Sequence, residues 1–100
     1  MLKHKFKAKP VIDDGIRFAS KKEHKRYTEL KLLQNYGEVL FFLRQVPFHL
    51  PGGVKYLCDY LVFWASGEVT IEDAKGMKTP MYILKKKQVE TIYPIKIIEC

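Results

Sequence analysis

One hundred residues, of which 47% are hydrophobic, 13% aromatic and 29% charged, describe a folded chain with one modest core. That composition excludes a disordered tail and leaves no room for a separate binding domain. The net charge of +7 favours a polyanionic partner such as nucleic acid.

No segment approaches the roughly 20 apolar residues that a membrane-spanning helix needs. The start, Met1 to Lys7, is basic but runs into Lys9-Pro10 without an apolar stretch, so no secretory signal is predicted and a cytoplasmic location is expected. Cys58 in an apolar run and Cys100 at the last position match neither a disulfide framework nor the paired spacing of a zinc site, and both read as reduced. His4, His24 and His49 likewise have no zinc-site spacing. Basic residues gather in three places: Lys3 to Lys9, Lys21 to Lys31, and Lys75 to Lys87.

In chain order, Ile16-Arg17-Phe18 is a short extended approach to Ser20, and Lys21 to Tyr36 reads as a helix stopped by Gly37. Ser20 is a suitable N-cap with Glu23 at the capping-box position, while Tyr27, Leu30 and Leu33 supply an apolar stripe. Residues 38–50 are rich in β-branched and aromatic side chains and end at the turn Pro51-Gly52-Gly53. A second strand runs from Val54 to Trp64, Ala65-Ser66-Gly67 turns the chain, and a third strand covers Val69 to Lys75. Thr79 can cap a second helix with Pro80 in its first turn, running to about Tyr93. Pro94 ends it, and Ile95 to Ile98 is a last strand. The predicted order is αβββαβ, an α/β (α+β) fold with a mixed sheet flanked by two helices. Residues 1–14 form a basic N-terminal arm and 15–100 a single domain.

The chemistry concentrates in Ile71-Glu72-Asp73-Ala74-Lys75-Gly76. Side chains alternate across a strand, so Asp73 and Lys75 share one face while Glu72 and Ala74 point the other way. A carboxylate beside an ammonium near a strand end suits phosphodiester cleavage. The carboxylate can hold a divalent cation, and the lysine can orient or help deprotonate the attacking water. Mg²⁺ commonly takes one or two carboxylates, and Asp59, inside the apolar run Tyr56 to Val62, is the candidate for the second. Register constrains this pairing. A two-residue turn at Ser66-Gly67 pairs Tyr60 with Asp73 and turns Asp59 away. A three-residue turn, Ser66-Gly67-Glu68, pairs Asp59 with Lys75, so a shared site requires the longer loop or a bulge. Glu23, four residues before Tyr27 and seven before Leu30, lies on the buried stripe of the first helix, where it can close the capping box, look into the site, or both. Each acid has an ordinary explanation singly, as a cap, an exposed strand-end ion pair or an edge acid. One shared site accounts for all three together. On the second helix Tyr82, Lys86, Val89 and Tyr93 share a face with Lys85 beside it, a candidate DNA-facing element.

The sequence resembles the small phage and prophage nuclease-like proteins of the PD-(D/E)XK superfamily. The likeness rests on Gly15 to Glu23, Arg26-Tyr27 with Glu29-Leu30, Gln45-Val46-Pro47-Phe48, and Asp59 before an aromatic-rich strand. Glu72 to Gly76, followed by Thr79-Pro80, Tyr82 and Lys85-Lys86-Lys87, is its most specific part. The resemblance implies a restriction-endonuclease-like αβββαβ core. It also implies a divalent-metal-dependent endonuclease with Asp59 and Asp73 as metal ligands, Lys75 as the catalytic lysine and Glu23 in the helical acidic position as a third metal ligand, with Gln45 and Lys86 accessory. Cys58 stands where the superfamily name has proline, and the acid of the final triplet is Asp73 instead of glutamate. The expected cofactor is Mg²⁺ or Mn²⁺, with no small-molecule cofactor and no membrane partner. The expected partner is DNA, contacted by Lys3, Lys5, Lys7, Lys78, Lys85 and Lys86, with a homodimer if both strands are cut. The competing expectation is a catalytically inactive DNA-binding protein on the same fold, serving phage replication or packaging.

Overall fold

The computed structural model describes residues 10–74 and 78–100. It opens with a hairpin of β1 (Val11–Asp13) and β2 (Ile16–Phe18), in register Val11↔Phe18 to Asp13↔Ile16. Asp14 and Gly15 join them with φ of 53° and 72°, the two positive angles that a two-residue turn of right-twisted strands demands. Ile16 to Phe18 is therefore the second strand of a hairpin, and the expected boundary between arm and domain falls at its turn.

Helix α1 (Lys21–Asn35) begins where Ser20 Oγ accepts the Glu23 N–H at 3.1 Å. It ends in a Schellman arrangement: the Glu38 N–H reaches the Leu33 carbonyl at 3.0 Å and the Gly37 N–H the Gln34 carbonyl at 3.1 Å. Gly37, at φ 81°, supplies the left-handed residue that this closure needs. Helix α2 (Pro80–Ile92) is capped by Thr79, whose Oγ1 accepts the Tyr82 N–H.

Four strands form the main sheet in the order β3 (Val39–His49), β4 (Lys55–Trp64), β5 (Val69–Asp73) and β6 (Ile97–Glu99). The first three run antiparallel and β6 lies parallel to β5, so the sheet is mixed and the αβββαβ order is present behind the hairpin. No helix among the described residues is long and apolar enough to cross a membrane.

Each helix covers its own apolar cluster. Under α1 lie Phe18, Tyr27, Leu30, Val39, Tyr60 and Val62; under α2 lie Leu50, Tyr56, Cys58, Ile71, Tyr82, Val89 and Ile97. Adjacent residues of β5 assign the helices to opposite faces, because Ile71 packs under α2 while Glu72 pairs with Arg26 of α1. Along β4 the alternation changes partner at Asp59: Tyr56 and Cys58 lie under α2, Tyr60 and Val62 under α1. β3 changes with it, since Val46 and Phe48 pack with the α2 cluster and Phe42 with the α1 cluster. The crossover falls at Gln45, which has a φ of 54° in mid-strand. A left-handed non-glycine residue there is a strained one.

The face Tyr82, Lys86, Val89, Tyr93 does not look outward as a DNA-facing element. Tyr82 and Val89 are core residues, and Tyr93 packs on that core and donates its hydroxyl to the His49 carbonyl at 2.6 Å. Apolar burial at this spacing outweighed any advantage in presenting the stripe to solvent.

Candidate active site

The β4–β5 ladder pairs Phe63↔Val69 through Tyr60↔Glu72 around the loop 65–67, and it sets Asp59 opposite Asp73. Neither register expected for this turn occurs. The loop takes Ala65 instead of Glu68 as its third residue, and the Trp64 N–H closes it on the Glu68 carbonyl at 2.9 Å. The outcome is closer juxtaposition than either expectation allowed, because continuing the register beyond Tyr60↔Glu72 puts the two aspartates at opposed positions. On the other side the β3–β4 pairs Arg44↔Tyr60 and Val46↔Cys58 bracket Asp59 and set it opposite Gln45. Asp59 thus stands between Gln45 and Asp73 at the point where the hairpin rolls over.

Here side chains replace ladder bonds. The Asp59 N–H donates to Asp73 Oδ1 at 3.3 Å, and the Ala74 N–H donates to Asp59 Oδ2 at 2.9 Å. Each aspartate is held by the strand that carries the other, and both are buried, Asp59 at 8% exposure and Asp73 at 0%. Gln45 extends the chain of contacts: its Nε2 donates to Asp59 Oδ1 at 3.1 Å and to Glu23 Oε2 at 3.0 Å.

Glu23 keeps only half of a capping box. Its N–H goes to Ser20 Oγ, but its Oε1 accepts the Ala19 N–H at 3.3 Å, and Oε2 turns inward. There it meets Arg44 NH2 at 2.8 Å as well as Gln45. The Tyr60 hydroxyl fixes the same turn of α1 by donating to the Glu23 carbonyl at 2.7 Å, and burial pushes that phenol above its ordinary range.

Glu72, 2% exposed on the other face of β5, belongs to a different arrangement. Arg26 holds it through two bonds, Nε to Oε1 at 2.7 Å and NH2 to Oε2 at 2.9 Å. The bonds to this carboxylate outweigh burial and raise the Arg26 guanidinium above its ordinary value.

The expected site residues therefore divide. Asp59 and Asp73 adjoin, and the amide of Gln45 links Glu23 to Asp59. Among the described residues no three His, Cys, Asp or Glu side chains form a group that could hold a metal ion together. Two adjacent carboxylates nevertheless fit a hard cation, which takes oxygen ligands from one or two acids and fills its remaining positions with water and substrate phosphate. Lys75, expected on the face of Asp73, lies outside the described residues, as do Lys3, Lys5 and Lys7. Lys78 pairs with Glu99 at 2.9 Å, and Lys86 lies 3.9 Å from Glu90. Lys78, then the Tyr82 hydroxyl, hold the Glu99 carboxyl below its ordinary value.

Arg44 escaped the sequence reading. It neutralises Glu23 and lies over the Phe18 ring at 4.6 Å from the centroid. The available signal was period two: Arg44 alternates with Phe42 and Val46, so it faces inward and requires an acid. The left-handed backbone of Gln45 has no such signal in the residues around it.

A family model described as "Protein of unknown function (DUF1064)" matches residues 3–98. No curated protein matches the chain.

Proposed function

The chain belongs to the DUF1064 family, described as of unknown function. We propose that it is a divalent-metal-dependent endodeoxyribonuclease of phage or prophage origin. In this reading it acts in the cytoplasm, the host's if phage-encoded, on branched or recombining DNA, and pairs as a homodimer when both strands are cut. The observation that carries the reading is the meeting of two buried aspartates from neighbouring strands immediately before Lys75. Two like charges in a shared buried position favour either a shared proton or a bound cation.

Asp59 and Asp73 are the proposed holders of Mg²⁺ or Mn²⁺. When bound, such an ion supplies neutralisation of phosphate charge and a lowered pKa for water. Gln45 and Glu23 position Asp59, with Arg44 balancing the charge of Glu23. Lys75 orients the attacking water, whose oxygen bonds to phosphorus as one P–O ester bond breaks and the departing oxygen takes a proton. The excess of lysine over acid in the sequence supplies attraction to the DNA backbone.

Nicking of supercoiled plasmid DNA in Mg²⁺ or Mn²⁺ tests this, together with Mn²⁺ binding by titration calorimetry. Asp73→Asn, isosteric at a fully buried position, should abolish both nicking and the Mn²⁺ isotherm while leaving DNA retention on a gel intact. A variant that nicks as fast as the parent rejects the assignment. A parent that retains DNA without nicking it in either metal favours an inactive DNA-binding protein on this fold.

A further inference from the structure

Beside the first turn of α2 lies a cavity of about 290 Å³, bounded in part by Lys55, Tyr56, Thr79, Met81, Tyr82 and Lys85. None of the described residues lining it is acidic. Lys55 is exposed at the start of β4, and Lys85 Nζ reaches back across the cavity to the Lys55 carbonyl at 3.4 Å. Two lysines thus border one space.

The helix adds its positive end. Pro80 has no N–H, and Thr79 takes that of Tyr82, so Met81 carries the first-turn N–H that remains for a ligand. A separate observation comes from Tyr56. It is 4% exposed, and its hydroxyl has no hydrogen-bond partner among the described residues. A buried O–H without an acceptor is costly, and an anion in the cavity supplies the acceptor.

From these convergent donors we propose that the cavity binds a phosphate group of nucleic acid. As a subsite of a cleaving centre the inference rests on the function proposed above; as a phosphate site it stands on the cavity alone. Its position relative to the aspartates follows from β4. Tyr56 precedes Asp59 by three residues, roughly 10 Å of strand. At roughly 3.4 Å of duplex axis per phosphate along one strand, the bound phosphate lies about three nucleotides from the one beside the aspartates.

The test uses the full chain in EDTA, so that nothing is cut, with inorganic phosphate and a duplex oligonucleotide as separate probes. Phosphate should shift the Met81 amide resonance saturably, and Lys55→Ala and Lys85→Ala should each remove that response. Each should also weaken duplex binding about tenfold and reduce the salt slope by roughly one. Tyr56→Phe should lower phosphate affinity about threefold with the salt slope unchanged.

Lys87→Ala, an equal charge change on the same helix away from the cavity, is the control. If it weakens duplex binding as much as Lys85→Ala, or if Met81 ignores phosphate, the proposal falls. Oligonucleotides with and without a 5′-phosphate separate the two sources: a tenfold preference for the phosphorylated end assigns a terminal phosphate, and equal affinity assigns the backbone. Lysine-dependent phosphate binding in a protein that never nicks DNA would keep this site and remove the nuclease reading. Nicking with lysine variants that bind like the parent would do the reverse.

Discussion

Replacing Gln45 by alanine and by glycine separates backbone strain from side-chain positioning at one residue. Its amide makes two bonds to carboxylate oxygens, at 3.0 Å to Glu23 and 3.1 Å to Asp59. Hydrogen bonds to charged groups contribute roughly 1.5–3 kcal/mol each when buried, and Gln45 is exposed, so losing both should cost about 2 kcal/mol in either variant. The backbone differs between the two. At φ 54° a residue with a Cβ carries roughly 1–2 kcal/mol of strain that glycine lacks, against roughly 0.5–1 kcal/mol of extra unfolded-chain entropy for glycine. Gln45→Gly should therefore be more stable than Gln45→Ala by roughly 0.5–1 kcal/mol, about 2–8 °C in melting temperature for a domain this size. Plasmid nicking should move differently. Both variants lose the bridge that holds Asp59, and loss of such a supporting contact costs roughly 10- to 100-fold. Calorimetry and nicking on the same preparations give the result. An alanine variant that melts at or above the glycine variant refutes the strain argument, and two variants that nick like the parent refute the positioning role.

Arg26→Ala should lower stability by about 3 kcal/mol in urea unfolding, near the low end for breaking a buried pair because the Arg26 side chain is 20% exposed. Joint replacement of Arg26 and Glu72 by methionine should recover most of it; a single variant within about 1 kcal/mol of the parent would show that Glu72 is satisfied without the guanidinium. Burial pushes the Cys58 thiol up to about 11 from its ordinary 9, so the native state holds a proton that the unfolded chain releases first. The associated stability is complete below pH 9 and is lost as pH rises through 11, up to about 3 kcal/mol. Cys58→Ala should be less stable at neutral pH yet flatter between pH 9 and 10, and an unchanged pH profile would contradict the assignment.

Local signals carried most of the fold. Ser20, Gly37, Thr79-Pro80 and the apolar spacing of Tyr27 and Leu30 fixed both helices to within a residue or two, because caps and stripes act over one or two turns. The opening hairpin went unread although Asp14-Gly15 carries the two-residue turn signal in full. The face of α2 was misjudged for a different reason. Tyr82, Lys86, Val89 and Tyr93 look equally good as a basic, aromatic surface and as a core stripe, and only the sheet beneath them decides.

The acids were legible by type and by strand, but their meeting was not, because one residue of register moves every side chain to the other face. The loop of Ala65, Ser66 and Gly67 brought Asp59 and Asp73 opposite each other by a route that neither expected turn contained. Burial then changes what the net charge means. Four of the 11 acids, Glu23, Asp59, Glu72 and Asp73, are buried, and among the described cations Arg26 and Arg44 turn in to meet Glu72 and Glu23. That leaves 16 cations and 7 acids in the rest of the chain, an excess of +9. At a distance such an excess draws a polyanion in, and screening by salt weakens it. At contact the balance reverses, because a phosphate beside Asp59 and Asp73 adds a third negative group to two already close together. In the proposed reading a divalent cation held by the carboxylates relieves that repulsion, so phosphate affinity at the aspartates should depend on divalent metal, while affinity at the Lys55–Lys85 cavity should not.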